Sequence, residues 1–156
     1  MNVPLPPCGL YRTTVEIAGV PAGRLVYFHN HGEPGPGVYL PTGWRANRAE
    51  FSATGVTLPS PDVAHTLVPL PPEGLYRVLE RFSCCEKRCR DFMPELLVQL
   101  GYDGAANPIL FVPEWLPEGI AIPDRGVRVD EDRLAKLGRL VVASRAGMQA
   151  PTIPIH

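Results

Sequence analysis

One β-type pattern occurs twice in this chain, and a duplicated pattern restricts the fold more than any single motif does. Gly9-Leu10-Tyr11-Arg12 returns as Gly74-Leu75-Tyr76-Arg77. Residues 25–41 then align without a gap on residues 97–113, 72 positions later, with Leu25/Leu97, Val26/Val98, Gly32/Gly104, Pro36/Pro108 and Pro41/Pro113 identical. Phe28/Leu100, Val38/Leu110, Tyr39/Phe111 and Leu40/Val112 are conservative pairs, and Gly55-Val56 matches Gly126-Val127. Glycine and proline fix where a chain turns, so a shared turn plan implies a shared fold.

Two units of about 65 residues would each bury only ~60% of their unfolded surface and be marginal alone. They are therefore expected to share a core or a substantial interface. With 19 prolines and 15 glycines among 156 residues, short strands joined by stiff turns fit the chain better than a helical bundle does. The expected fold is mainly β (β-rich α+β): two tandem small antiparallel β-barrel or sandwich repeats packed together, SH3-like by loose analogy. A short Cys-containing helical insertion and one C-terminal helix complete it. Residues 1–58 form the first repeat, 59–72 a proline-rich ordered connector, 73–140 the second repeat with an insertion at 83–94, and 141–156 an extended tail.

In the first repeat, residues 11–18, 24–31, 38–40 and 56–58 read as strands, 32–37 as a turn, and 44–52 as ambiguous. In the second, residues 75–82, 95–100 and 109–112 read as strands. The insertion could form a short helix stopped by Pro94. Residues 130–137 make the strongest helix candidate, with Asp130 as N-cap, acidic residues in the first turn and Gly138 closing it.

A formal charge of −1 gives no support for a nucleic-acid-binding face. The N-terminal residues lack a basic segment followed by an apolar run, and no apolar stretch approaches the ~20 residues that cross a bilayer. A cytoplasmic location without membrane association is the resulting expectation. In a reducing compartment, four cysteines read as thiols or metal ligands rather than disulfides. No Walker A sequence, dinucleotide fingerprint, nucleophile elbow or EF-hand loop is present.

Two groups of residues could hold a metal. In His29-Asn30-His31-Gly32-Glu33, alternate strand residues share a face, so His29, His31 and Glu33 could converge on one ion. Gly23, five residues, then His29-x-His31 resembles the first motif of the cupins, and Gly55, Pro61 and His65 are similar to the second. The resemblance implies a metal held by His29, His31 and His65. The pattern departs where Val63 stands in a glycine position, where Glu33 follows His31 closely, and where Gly101 and Asp103 replace the histidines in the second repeat. The alternative is a polar strand end at a solvent-facing turn.

The second group is Cys84, Cys85 and Cys89. On a helix, Cys85 and Cys89 would lie one turn apart, and Cys8 or a histidine could complete a tetrahedral zinc site. Neighbouring Arg81, Lys87, Arg88 and Arg90 could instead lower a thiol pKa and make a reactive cysteine. Buried structural thiols are the third reading.

Most aromatic residues read as core. Trp44 and Trp115 follow proline-containing turns, and Trp44 with Arg45 and Arg48 forms the preferred contact surface, since tryptophan and arginine dominate binding hot spots. The expected function is a non-enzymatic protein-binding module, serving as adaptor, inhibitor, immunity-type protein or assembly component. A metal-binding protein, through the cupin-like His site or a Cys-cluster zinc site, is the alternative, with a thiol-dependent enzyme behind it.

Overall fold

The computed structural model describes residues 4–32 and 34–143. In the first half the chain forms β1 (Gly9–Arg12), β2 (Leu25–His29), β3 (Gly37–Tyr39), β4 (Pro41–Arg45), β5 (Arg48–Phe51) and β6 (Val56–Thr57). A 3-10 helix (Pro61–Thr66) and β7 (Val68–Pro69) follow. In the second half come β8 (Gly74–Val78), β9 (Phe82–Ser83), β10 (Asp91–Phe92), β11 (Leu97–Tyr102), β12 (Pro108–Phe111), β13 (Glu114–Leu116), β14 (Gly119–Ala121) and β15 (Val127–Arg128). A second 3-10 helix (Glu131–Lys136) leads into β16 (Leu137–Arg139).

The protein is mainly β, with antiparallel pairing throughout the named strands. One five-stranded sheet runs β6-β3-β2-β1-β7 and the other β15-β12-β11-β8-β16, so position for position the two orders correspond. The registers correspond as well. Tyr27 faces Tyr39 and Phe28 faces Val38, and 72 positions later Gln99 faces Phe111 and Leu100 faces Leu110. The Tyr11 hydroxyl donates to the Pro7 carbonyl at 2.6 Å, and the Tyr76 hydroxyl to the Pro72 carbonyl at 2.6 Å. Gly55 and Gly126 each lie against the ring of the β3 or β12 aromatic: a Cβ would come within 2.7 Å of Tyr39 at the first and 2.8 Å of Phe111 at the second.

Several local expectations change. Residues 83–94 do not form a helix. They make the β9–β10 hairpin, in which Phe82 stacks on Phe92 with centroids 5.0 Å apart and Ser83 Oγ donates to Asp91 Oδ1. A helix this short is marginal in water, whereas the hairpin buries both rings. The C-terminal helix is a 3-10 helix: Asp130 sits at its N-cap position without a side-chain cap bond, and Leu137 is already opposite Val78 in the sheet. The first strand stops at Arg12, because Thr13 turns its hydroxyl to the Pro21 carbonyl and accepts the Arg24 N–H. Residues 44–52, ambiguous in sequence, lie in the β4–β5 hairpin, whose two turn residues Ala46 and Asn47 both have positive φ. Residues 59–72 supply the first 3-10 helix and β7, which pairs with β1. Of the expected tail, residues 144–156 lie outside the described residues.

Each half has its own apolar cluster. Tyr11, Ile17, Val26, Phe28, Val38 and Leu67 belong to one; Tyr76, Val78, Phe92, Val98, Leu100 and Leu110 belong to the other. Leu25 and Leu70 of the first half enter the second cluster, and Leu10, Ala49 and Phe51 pack on it, so the halves share buried apolar surface. Among the described residues no helix is long and apolar enough to cross a membrane.

Candidate functional site

The joint between the halves explains the position of Trp44. The β4–β5 hairpin lies across β11, where the Trp44 indole N–H donates to the Tyr102 carbonyl at 2.8 Å. The Asn47 amide donates to Gln99 Oε1 and to the Pro123 carbonyl, both at 2.9 Å, and Gln99 Nε2 donates back to the Ala46 carbonyl at 3.1 Å. The Ala49 N–H donates to Glu73 Oε2 at 2.9 Å. Burial pushes the Glu73 carboxyl pKa up, with the Ala49 N–H and the Arg48 charge opposing it. Gly101 makes the seat possible, since a Cβ there would come within 2.7 Å of the Asn47 carbonyl oxygen. Of the other two residues of the expected contact surface, Arg48 is opposite Arg45 in the hairpin, and Arg45 pairs with Glu50 at 3.4 Å. Trp44 thus belongs in part to an internal contact.

The β13–β14 hairpin takes the corresponding place in the second half. Trp115 faces Ile120 across it as Trp44 faces Ala49. Trp115 is 80% exposed, Ile120 55%, and Leu116 and Ile122 are exposed beside them.

Cys8, His29 and His31 meet at the end of β2. The Cys8 Sγ is 3.6 Å from His29 Nδ1, the two imidazole rings have centroids 4.1 Å apart, and one ligand atom from each residue lies within 4.8 Å of the others. The Asn30 N–H donates to Cys8 Sγ at 3.3 Å, and the Asn30 amide donates to the Pro6 carbonyl at 3.1 Å. His65 is on the first 3-10 helix and is not part of this group, and Glu33 lies outside the described residues. The cupin-like set is therefore not assembled as expected. Cys8, grouped in the sequence reading with the other cysteines, joins the histidines instead.

Cys84, Cys85 and Cys89 form the second group, their sulfurs also within 4.8 Å of one another. They gather through a turn and not along a helix face: the Arg88 N–H donates to the Cys85 carbonyl at 3.0 Å, and Arg88 takes a positive φ of 54°. Cys84 is buried, with its Sγ 3.7 Å from Cys85 Sγ. The Lys87 N–H, followed by the Cys84 thiol, holds the Cys85 thiol below the ordinary range, while the Cys85 charge pushes Cys89 up. A cleft of about 500 Å³ beside Cys85 is lined by Arg81, Arg88, Arg133 and Lys136 together with Glu86.

No family model, no curated protein and no solved structure matches the chain. Its chemistry must be read from these three places.

The clasp residues Asn47, Glu73 and Gln99 were not singled out in the sequence. Their signal was there: an amide at the tip of a two-residue turn and a glutamine at a buried strand position, each needing a polar partner. What sequence could not supply was the distance between them.

Proposed function

We propose that the chain is a cytoplasmic, non-enzymatic interaction protein. In this reading it is a tandem pair of one small antiparallel β-unit, SH3-like by analogy, and the second copy offers the β13–β14 hairpin to a protein partner. The contrast between the two hairpins carries the proposal. One is seated by its tryptophan on a β-strand of the neighbouring half, and its counterpart holds Trp115, Leu116, Ile120 and Ile122 in solvent. An exposed aromatic flanked by aliphatic side chains is the composition of an interaction hot spot. The partner chemistry follows from the internal seat: a β-rich surface with a backbone carbonyl for the indole N–H and a small residue beneath the hairpin. Adaptor, inhibitor, immunity-type and assembly roles all use such a contact.

Affinity purification of the full chain from the cells that make it tests the reading. A protein recovered stoichiometrically with the wild type should be lost with Trp115→Ser/Ile120→Ser and kept with Ala53→Ser. Equal recovery with all three removes the hairpin as the binding surface.

A second reading, zinc bound by Cys84, Cys85 and Cys89, is favoured by one distance. Two thiolates on one tetrahedral zinc lie about 3.7–3.8 Å apart, and Cys84 and Cys85 Sγ are 3.7 Å apart. Metal content of tag-free protein, compared with Cys85→Ser, decides it; zinc unchanged by that substitution would exclude the trio.

A further inference from the structure

The two halves differ most where a corresponding position has changed its chemistry. By register, Gly9 pairs with Phe28 as Gly74 pairs with Leu100, so Cys8 stands where the second half has Glu73. His29 stands where the second half has Gly101, and His31 where it has Asp103. In the second half these positions seat a hairpin: Glu73 accepts the Ala49 N–H, and Gly101 leaves room for Asn47. In the first half His29, only 6% exposed, carries an imidazole at the position that has no side chain in the second half. A second copy's Trp115 hairpin would therefore find no equivalent seat here. These positions hold a cluster of one thiol and two imidazoles.

We infer that Cys8, His29 and His31 form a zinc site with one exchangeable coordination position. The 3.6 Å between Cys8 Sγ and His29 Nδ1 fits two ligands of one zinc, since bond lengths of about 2.3 Å to sulfur and 2.05 Å to nitrogen place tetrahedral ligands roughly 3.3–3.8 Å apart. The remaining separations, within 4.8 Å, close by rotation of His31, whose side chain is exposed. One thiolate with two imidazoles suits zinc and other late transition metals and disfavours calcium or magnesium.

The surroundings hold Cys8 in place: its thiol donates to Asn30 Oδ1 at 3.3 Å. The Asn30 N–H points at Cys8 Sγ, and the Asn30 side chain ties the Pro6 carbonyl, which fixes the segment carrying Cys8. Such contacts orient a ligand. The three ligands found among the described residues leave the fourth position to water or another Lewis base, the arrangement of zinc sites that exchange ligands. His65, on the first 3-10 helix, has no part in it. The inference is independent of the Trp115 hairpin and of the cysteine trio.

The test uses tag-free full chain carrying Cys84→Ser/Cys85→Ser/Cys89→Ser, titrated with Co²⁺ and then with Zn²⁺. The expected result is about one equivalent of Co²⁺ with a thiolate-to-metal charge-transfer band, displaced by zinc. Adding Cys8→Ser should abolish the band, and adding Asn30→Ala should weaken binding about 10-fold or more while the band remains. A band that survives Cys8→Ser, or folded background protein that binds no Co²⁺, overturns the site. If the triple variant does not fold, zinc stoichiometry of wild type against Cys8→Ser and His31→Ala replaces it: equal zinc in all three overturns the site, and loss of about one equivalent in both variants supports it.

Discussion

Trp44 and Trp115 hold matching places in matching hairpins, opposite Ala49 and Ile120, yet among the described residues only Trp44 has its indole N–H on a carbonyl of the neighbouring half, that of Tyr102. Trp44→Ala removes that bond and part of a buried ring, and should lower unfolding free energy by about 1–2 kcal/mol. Trp115→Ala should stay within about 0.5 kcal/mol, as surface changes usually do. Denaturant unfolding of both variants checks the pair. Equal losses would mean that Trp115 is also seated.

Gly101 is where the joint is tightest. In Gly101→Ala the added Cβ meets the Asn47 carbonyl oxygen, a backbone atom that cannot swing away, at 2.7 Å. Overpacking of this kind costs about 1–3 kcal/mol. Gly104→Ala is the control: its nearest neighbour would be Trp44 Cη2 at 3.8 Å, an ordinary contact, and its effect should stay within about 0.5 kcal/mol. Thermal unfolding of both variants distinguishes a clash at the joint from a general intolerance of alanine in this strand and turn.

Glu73 makes the joint pH-dependent. Its folded pKa is raised, chiefly by burial. A raised carboxyl pKa means the folded state holds the proton more tightly than the unfolded chain. The contribution is therefore full below the unfolded value of about 4.3 and is lost as pH rises through the folded one. Glu73→Gln keeps an oxygen for the Ala49 N–H without the charge. It should flatten this part of the stability profile and raise stability at neutral pH. Glu73→Ala strands that N–H and should lose about 1–3 kcal/mol. Urea midpoints from pH 4 to 8 give the answer.

Tyr27 has a buried hydroxyl without a hydrogen-bond partner among the described residues, and burial pushes its pKa up to about 12. Stability that depends on the neutral phenol is complete below the unfolded value of about 10 and disappears as pH rises towards 12. Tyr27→Phe removes an unsatisfied polar group, so it should be neutral or stabilising by up to about 1 kcal/mol. Tyr102→Phe breaks a 2.6 Å bond to the Pro71 carbonyl and should cost about 1–2 kcal/mol. Alkaline unfolding followed by tyrosinate absorbance compares the three proteins.

What was legible in the sequence was carried by residues that act locally. The turn glycines and prolines marked the ends of strands, and the continuous apolar run Leu25 to Phe28 marked β2. The insertion was misread because Ser83 to Met93 contains no turn dipeptide, and the cross-strand stacking of Phe82 on Phe92 is visible only after pairing. The helix after Asp130 was shortened because Leu137 is required in the sheet opposite Val78. At the sites, His29 and His31 were found together because strand neighbours two apart share a face. Cys8 was placed with the wrong partners, since nothing in linear spacing joins residue 8 to residue 29; the antiparallel pairing of β1 with β2 does.

The most direct test of the interaction reading places a photo-crosslinking residue at position 44, 53 or 115 of the full chain in the cells that make it. Position 115 should yield a discrete adduct with one other protein, and position 44 an internal adduct to residues 101–104. Position 53, on an exposed turn of the first half, should yield neither. Adducts from position 115 no more specific than those from position 53 would contradict the account.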